Sequence, residues 1–164
     1  FLSSSTDGGD NTLVDGFQVA EQLRAHAPEQ FALLAHNPVR FQFQDDDTEL
    51  SAEFPLISLD ARGAVAAIHF NSRSPAPLEM DEDLIEPYYD AYRAFVGLLN
   101  SPALQIQFKL AAGDLFIVDN QRVLHGRTGF SAAGQRHLQG CYADRDGLRS
   151  RLAVLNRTAA TLTA

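Results

Sequence analysis

The alternation of apolar and polar residues along the chain predicts a series of short strands. Period-two alternation marks Val39–Gln44 and parts of 54–59 and 65–70, with a turn at Asp60-Ala61-Arg62-Gly63 between the latter two. Gly113-Asp114 predicts a second tight turn. We expect most of these strands to be half-buried. Three further strands are predicted from apolar stretches at 104–110, 115–118 and 137–143.

Helical spacing of apolar residues predicts helices between these strands. Asp15, with Gln18 three residues later, resembles a capping box that opens a helix through about Ala25. Pro28 suits the first turn of a second short helix, because the amide hydrogen that proline lacks has no partner there anyway. Apolar residues at helical spacing predict an amphipathic helix over 84–100, and a last helix is expected over 147–155.

Length and charge restrict the class of protein. The 164 residues, 45% of them hydrophobic, suit a single domain, and the tail after Asn156 is expected to fray. A net charge of −8 with scattered arginines argues against a nucleic-acid partner. No apolar run is long enough for a membrane span and no signal peptide is visible. With Cys141 as the only cysteine, these features favour a reducing, cytoplasmic location.

The acidic run Asp45-Asp46-Asp47 is interpreted as a solvated loop, because consecutive carboxylates point in different directions on any regular backbone.

The residues that can carry out chemistry lie in two other segments, 119–127 and 136–142. His125 and Arg136 lie eleven residues apart on what are predicted to be neighbouring strands. An imidazole can bind a metal, and a guanidinium can bind a carboxylate through two hydrogen bonds. Non-haem iron oxygenases combine such groups, but a structural histidine and an arginine paired with an aspartate are ordinary alternatives.

Five sequence blocks occur in one order and carry a family resemblance. They are Gly8-Gly9-Asp10-Asn11, Val14-Asp15-Gly16-Phe17, Phe70-Asn71, the stretch from Asp119 to Arg127, and Arg136-His137-Leu138. Together they resemble the γ-butyrobetaine hydroxylase branch of the Fe(II)/2-oxoglutarate-dependent dioxygenases, the wider group that includes taurine dioxygenase. The resemblance runs from Phe1 to about Leu155, and the trimethyllysine hydroxylases share most of the blocks.

The resemblance and the strand pattern together imply a mainly β fold with a helical insert: a double-stranded β-helix of the jelly-roll or cupin type. Residues 1–155 would form part of the catalytic domain and 156–164 a C-terminal tail. The implied reaction uses Fe(II), 2-oxoglutarate and O2 to hydroxylate a trimethylammonium substrate, first of all γ-butyrobetaine to carnitine. Trimethyllysine or another quaternary ammonium compound is the alternative substrate.

The resemblance also implies a role for individual residues. His125 matches the second histidine of the iron triad, and Arg136 matches the arginine that binds the far carboxylate of 2-oxoglutarate. Asn11 stands where relatives place a hydroxyl near the cosubstrate, or is simply a turn residue. Tyr142 matches an aromatic residue around the trimethylammonium group. Asn71 matches an asparagine that binds the substrate carboxylate, although asparagine at a strand end is also ordinary.

The chain departs from the family pattern at the first two iron ligands. These form a His-x-Asp motif before the Gly-Gly-Asp turn, and no histidine of this chain has an aspartate two residues later. We therefore expect the sequence to begin inside the catalytic domain, with its N-terminal portion lacking. Such a domain would expose a sheet edge and apolar interior, which favours poor stability or association, for example as a homodimer. A non-catalytic interaction domain that lost its metal is the remaining hypothesis.

Overall fold

The computed structural model describes residues 3–4, 8–131 and 136–162. Within these residues the chain forms nine strands and four helices. The strands are β1 Ser3–Ser4, β2 Asn11–Asp15, β3 Val39–Gln44, β4 Glu49–Phe54, β5 Ile57–Leu59, β6 Val65–Ile68, β7 Gln105–Phe108, β8 Val123–Arg127 and β9 Arg136–His137. The helices are α1 Gly16–His26, α2 Pro28–His36, α3 Glu82–Leu99 and α4 Arg145–Leu162.

The hydrophobic core lies between helices α1, α2 and α3 and the strands β5 and β6. Each helix contributes one apolar stripe at helical spacing, with Val19, Leu34 and Phe95 fully buried. Leu56 and Ile57 close the core from the strand side. Burial of these side chains is the main force that holds the three helices together.

A three-stranded antiparallel sheet packs beside this core, in the order β7-β2-β8. Val14 pairs with Leu124 across β2 and β8, and both pack in the hydrophobic core. Because side chains alternate along a strand, the neighbouring pair of Leu13 and His125 faces away from the core. The described residues also form three two-stranded sheets: the β3–β4 hairpin, the β5–β6 hairpin and the pair of β1 with β9.

Several sequence predictions are confirmed. Strand β3 has the predicted bounds, α1 begins directly after Asp15, and α2 begins at Pro28. The turn between β5 and β6 is closed by a 2.9 Å hydrogen bond from the Gly63 amide to the Asp60 carbonyl. Asp45, Asp46 and Asp47 lie in the exposed loop between β3 and β4, as expected of a solvated run.

Other predictions are wrong about the presence or the bounds of a strand or helix. Residues 115–118 form no strand, and Leu115 and Ile117 are 81% and 83% exposed. Of the strand predicted over 137–143, only His137 lies in a strand, the two-residue β9. Strand β4 was missed, and its side chains are exposed along its whole length. The last helix was predicted to end at Leu155, whereas α4 continues to Leu162.

The fold class is mixed rather than mainly β, because the helices hold more residues than the strands. All strand pairs in the described part of the chain are antiparallel, and they do not close into a barrel there. No helix found in residues 3–4, 8–131 and 136–162 has the length and apolar character needed to cross a membrane.

Truncation of Phe95 tests the core directly. Its ring is fully buried in α3 and lies 6.1 Å from the Phe70 ring. We expect Phe95→Ala to lower the free energy of unfolding by ~3–5 kcal/mol, because it removes buried area and leaves a cavity. Phe43→Ala is the control, since Phe43 is about half exposed, and should change it by less than ~0.5 kcal/mol. Similar losses for both variants in denaturant unfolding would contradict this core.

Candidate functional site

Two of the predicted site residues lie on one face of the three-stranded sheet. His125 is opposite Leu13, and Asn11 is opposite Arg127, in the same β2–β8 ladder. Residues two apart on a strand share a face, so Asn11 and His125 both point away from the helical core. Ile106 of β7, opposite Leu13, adds an exposed apolar side chain to this face. We call this surface the β2–β8 face.

The two residues differ in exposure. His125 is exposed, so its imidazole is accessible to a ligand from outside the described residues. Asn11 is only 7% exposed at the start of β2, between Phe108 and Arg127 of the neighbouring strands. A buried carboxamide is normally hydrogen-bonded, and Asn11 stands on strand β2 rather than in the preceding turn.

The Gly-Gly-Asp turn places Asn11 at the end of the ladder. Gly8 and Gly9 have φ angles of 76° and 72°, in the left-handed region that favours glycine. A Cβ on Gly8 would lie 2.5 Å from the Gly129 carbonyl oxygen, so a side chain there would collide with backbone. The Gly9 amide donates to that same oxygen at 3.1 Å. The turn therefore extends the β2–β8 pairing beyond the regular strands.

An ion pair ties the other end of β2 to the residue before β8. The Arg122 guanidinium donates to the Asp15 carboxylate through Nε at 3.1 Å and Nη2 at 2.6 Å. Asp15 also accepts from the Phe17 amide at 3.0 Å, which caps α1. The hydrogen bonds from Arg122 hold the pKa of the Asp15 carboxyl below its usual range, against the opposing effect of burial. This interaction was not anticipated from the sequence.

Asp119 begins the turn that leads into β8. Its carbonyl accepts from the Arg122 and Val123 amides at 2.9 and 2.8 Å, and its carboxylate accepts from Arg145 Nη1 at 3.0 Å. At the far end of β8, the Arg127 guanidinium carbon lies 3.6 Å from the centre of the Phe130 ring. Asp119 and Arg127, the two ends of one sequence block, thus make specific contacts on either side of β8.

Arg136 and Tyr142 belong to the segment after β8. The Arg136 backbone pairs with Ser4 in the β1–β9 ladder, while its side chain lies outside the described residues. Tyr142 is 87% exposed in the loop that leads to α4. An exposed ring does not enclose a ligand, so the structure does not bring Tyr142 into a cage with other described residues.

Asn71 lies apart from the β2–β8 face in the chain, in the loop after β6. Its Oδ1 accepts a 2.8 Å hydrogen bond from the Arg73 amide, so the carboxamide oxygen takes part in a local turn. It also lines a cavity whose other walls come from β3, the loop before α3, and α3 itself. Tyr88 and Tyr92 of α3 line this cavity and also pack with the hydrophobic core.

The described residues do not complete a metal site. In the described ranges, no three His, Cys, Asp or Glu side chains come together in a way that could hold a metal ion. His125 is thus one accessible imidazole without two further ligands from this part of the chain. The residues present do not by themselves fit the iron triad that the sequence resemblance implies.

Comparison with known proteins adds a family match. The sequence profile described as "Taurine catabolism dioxygenase TauD, TfdA family" matches residues 1–142. The chain is 43% identical over 157 residues to a protein of Pseudomonas sp. (strain AK-1) named "Gamma-butyrobetaine dioxygenase", which covers 95% of this chain and 41% of that protein. It is 34% identical over 162 residues to the protein of that name from Homo sapiens, covering 95% of this chain and 42% of that protein.

A third similar protein carries a different name. The chain is 32% identical over 160 residues to "Trimethyllysine dioxygenase, mitochondrial" of Gallus gallus, covering 94% of this chain and 38% of that protein. The chain therefore spans about two fifths of the length of the curated relatives it matches.

The pH dependence of stability tests the link between Asp15 and Arg122. Because the folded pKa of Asp15 is lowered, its contribution is present above about pH 4, the value for an unfolded aspartate, and is lost as pH falls through the folded pKa. We expect Asp15→Asn, which keeps the capping oxygen, to lower the free energy of unfolding by ~0.2–1 kcal/mol at pH 7 and to have no effect at strongly acid pH.

Two further variants complete this test. Asp15→Ala also removes the helix cap and should cost about 1 kcal/mol more at every pH. Asp46→Asn, in the exposed loop after β3, is the charge-matched control and should have little effect. A loss for Asp15→Asn that is equal at neutral and strongly acid pH, in denaturant unfolding, would exclude the ion pair as its cause.

Proposed function

We propose that this chain, which belongs to the taurine catabolism dioxygenase TauD, TfdA family, forms part of a dioxygenase that hydroxylates a trimethylammonium compound. Dioxygenases of this family generally depend on Fe(II) and 2-oxoglutarate, which we propose as the metal and cosubstrate, with O2 as oxidant. The observation that carries the proposal is the β2–β8 face, where His125 and Asn11 lie on adjacent strands and point to the same side.

γ-Butyrobetaine, with carnitine as the product, is the substrate we favour. The support is the 43% identity to the Pseudomonas protein named for that substrate, against 32% for the protein of Gallus gallus named for trimethyllysine. Both named compounds carry a quaternary ammonium group and a carboxylate. Trimethyllysine or a related compound is therefore the alternative substrate within the same reaction class.

His125 would supply one metal ligand. His125 lies on β8, which pairs with β2 along one side, so the ladder fixes the face of the sheet from which its imidazole projects. The other ligands must come from residues outside the described ones, because the described residues hold no cluster of three candidate ligands. What this chain contributes is thus the position of one ligand on a sheet anchored by Asp15 and Arg122.

Arg136 would bind the carboxylate of 2-oxoglutarate remote from the metal. A guanidinium stays protonated and can form two parallel hydrogen bonds to a carboxylate, which fixes the direction of the cosubstrate. Asn11 would add an amide hydrogen bond from the β2–β8 face. A carboxamide can both donate and accept, so it can replace the hydroxyl that relatives carry at this position.

Tyr142 and Asn71 would bind the substrate itself. For Tyr142, a ring face can attract the trimethylammonium group by ~0.5–2 kcal/mol once the group is desolvated. Its 87% exposure means that another part of the protein would have to cover it first. Asn71 would donate its amide hydrogens to the substrate carboxylate while its Oδ1 accepts from the Arg73 amide.

The complete catalytic domain would be a double-stranded β-helix to which the antiparallel strands of this chain belong. The open β2–β8 face and the unpaired apolar segment 115–118 support this, because both would be covered in a closed β fold. A non-catalytic interaction domain is the second candidate, and the absence of a metal-ligand cluster among the described residues favours it. A homodimer and a cytoplasmic location stay predictions.

Replacement of His125 tests the metal ligand. In the protein that contains this chain, we expect Fe(II)-dependent succinate formation from 2-oxoglutarate, stimulated by γ-butyrobetaine. His125→Ala should abolish this activity and weaken Fe(II) binding, because it removes a direct ligand, while the fold measured by circular dichroism is retained. His36→Ala is the matched control, since His36 is an exposed histidine at the end of α2.

The intact mass of the assayed protein decides how the assay is interpreted. A mass well above 17.9 kDa with substrate-stimulated succinate supports the hydroxylase. A mass of 17.9 kDa without iron-dependent turnover means that this chain alone is not the enzyme. Faster succinate formation with trimethyllysine than with γ-butyrobetaine would favour the alternative substrate.

Replacement of Arg136 tests the cosubstrate site. Arg136→Lys keeps the charge but removes the paired hydrogen bonds, so we expect the KM for 2-oxoglutarate to rise ~10-fold or more while the KM for γ-butyrobetaine changes little. Arg151→Lys, on the exposed face of α4, is the control. An unchanged KM for 2-oxoglutarate in Arg136→Lys would remove Arg136 from the cosubstrate site.

A further inference from the structure

Helix α4 carries an apolar stripe that is largely exposed. The helix is anchored at its start, where the Arg145 guanidinium pairs with the Asp119 carboxylate at 3.0 Å, and its side chains from 146 to 160 are all exposed. An amphipathic helix is normally stabilised by packing of its apolar side, because its own hydrogen bonds stabilise it only marginally in water. The apolar side, which we call the α4 stripe, consists of Leu148, Leu152 and Leu155, which are 71%, 57% and 48% exposed.

Arginines flank the α4 stripe. At about 100° per residue along a helix, Arg149 and Arg151 lie on the two flanks of the stripe. The opposite side of the helix carries Asp146 and Arg157. Helix α4 thus has four arginines and one aspartate, in a chain whose net charge is −8. A surface that binds the α4 stripe must therefore combine apolar side chains with negative charge.

The tip of the β3–β4 hairpin combines these two properties. Phe43 and Leu50 lie opposite each other in the ladder, and their side chains are 52% and 62% exposed. The loop that joins the two strands contains the three exposed aspartates 45–47. No Lys or Arg occurs in 41–54, which holds five acidic residues. We call Phe43, Leu50 and the loop 45–47 the hairpin tip.

Like charges disfavour the pairing of either surface with a copy of itself. Two α4 stripes face to face would bring Arg149 and Arg151 of both copies together, and two hairpin tips would bring together the aspartates of both loops. The stripe against the tip pairs apolar side chains with apolar side chains and arginines with aspartates. Within one copy the stripe and the tip are both largely exposed, so they do not cover each other.

The exposed side of α3 is acidic as well, but it matches the stripe less well. Glu82 and Glu86 lie on that side, and Asp90 forms an ion pair with Arg93. Tyr89 is the exposed large hydrophobic residue that α3 offers. This side therefore supplies charge without an aliphatic surface of the size that three leucines require.

We propose that two copies of the protein pair with each other, with the α4 stripe of one copy on the hairpin tip of the other. A two-fold axis forms this contact twice, because each copy supplies both surfaces. The stripe is about 10 Å long and the hairpin strands about 20 Å, so the helix can lie along the ribbon. The inference needs neither iron nor 2-oxoglutarate, so it can fail or succeed independently of the proposed dioxygenase reaction.

The mass in solution tests the pairing. The protein that contains this chain is measured by sedimentation velocity at concentrations from about 1 to about 100 μM. We expect a species of twice the intact mass whose fraction grows with concentration. An increase from about 0.05 M to about 0.5 M salt should raise the Kd, because salt screens the attraction between arginines and aspartates.

Charge reversal tests the two surfaces separately. The first variant carries Arg149→Glu and Arg151→Glu, so both of its surfaces are acidic. The second carries Asp46→Arg and Asp47→Arg, so both of its surfaces are basic. Each variant alone should show a Kd raised about 10-fold or more. An equimolar mixture of the two should form the dimer again, because every contact between them pairs opposite charges.

Three single variants serve as matched comparisons, with circular dichroism used to verify that each folds. Arg157→Glu on the opposite side of α4 and Glu86→Arg on α3 should leave the Kd unchanged. Phe43→Ala, which should hardly change the stability of a single copy, should raise the Kd about 5-fold or more, because it removes an apolar contact.

Three results would overturn the proposal. The first is a protein that stays at its intact mass up to the highest concentration. The second is a dimer whose Kd is unchanged in both charge-reversed variants, which is expected if another part of the same protein covers the α4 stripe. The third is a mixture of the two charge-reversed variants that forms no dimer, which is expected if the stripe binds the tip of its own copy.

Discussion

The β2–β8 ladder is the interaction on which the site depends, and the ion pair between Asp15 and Arg122 closes one end of it. Asp15 ends the central strand β2 and at the same time caps α1, while Arg122 stands directly before β8. One carboxylate therefore joins the end of the central strand, the first turn of α1 and the residue before the strand that carries His125. The Gly8-Gly9 turn fixes the other end of the same ladder.

Part of this arrangement could be predicted from the sequence. The capping position of Asp15, the proline start of α2 and the alternation of β3 depend on local interactions, which local sequence describes well. The common face of Asn11 and His125 depends on the pairing of residues more than a hundred positions apart, so no local pattern contains it. The sequence blocks named both residues but could not place them side by side.

The errors have physical causes as well. Residues 115–118 are apolar enough for a strand, but a strand also requires a partner for its backbone hydrogen bonds, and the described chain offers none there. Strand β4 was missed because Glu49–Phe54 contacts β3 without burying a face, so it lacks the pattern of a half-buried strand. The cavity was missed because its walls come from β3, the loop before α3 and α3 itself, which only the folded chain brings together.

The wall of the cavity formed by β3 is held by main-chain hydrogen bonds. The Gln42 amide donates to the Ser74 carbonyl at 2.8 Å, and the Ala76 amide donates to the Arg40 carbonyl at 2.9 Å. If β3 separated from residues 74–76, these two bonds would have to break together. That separation would be a local unfolding event, far slower than the rotation of a side chain, and amide hydrogen exchange at Gln42 and Ala76 would report its free energy.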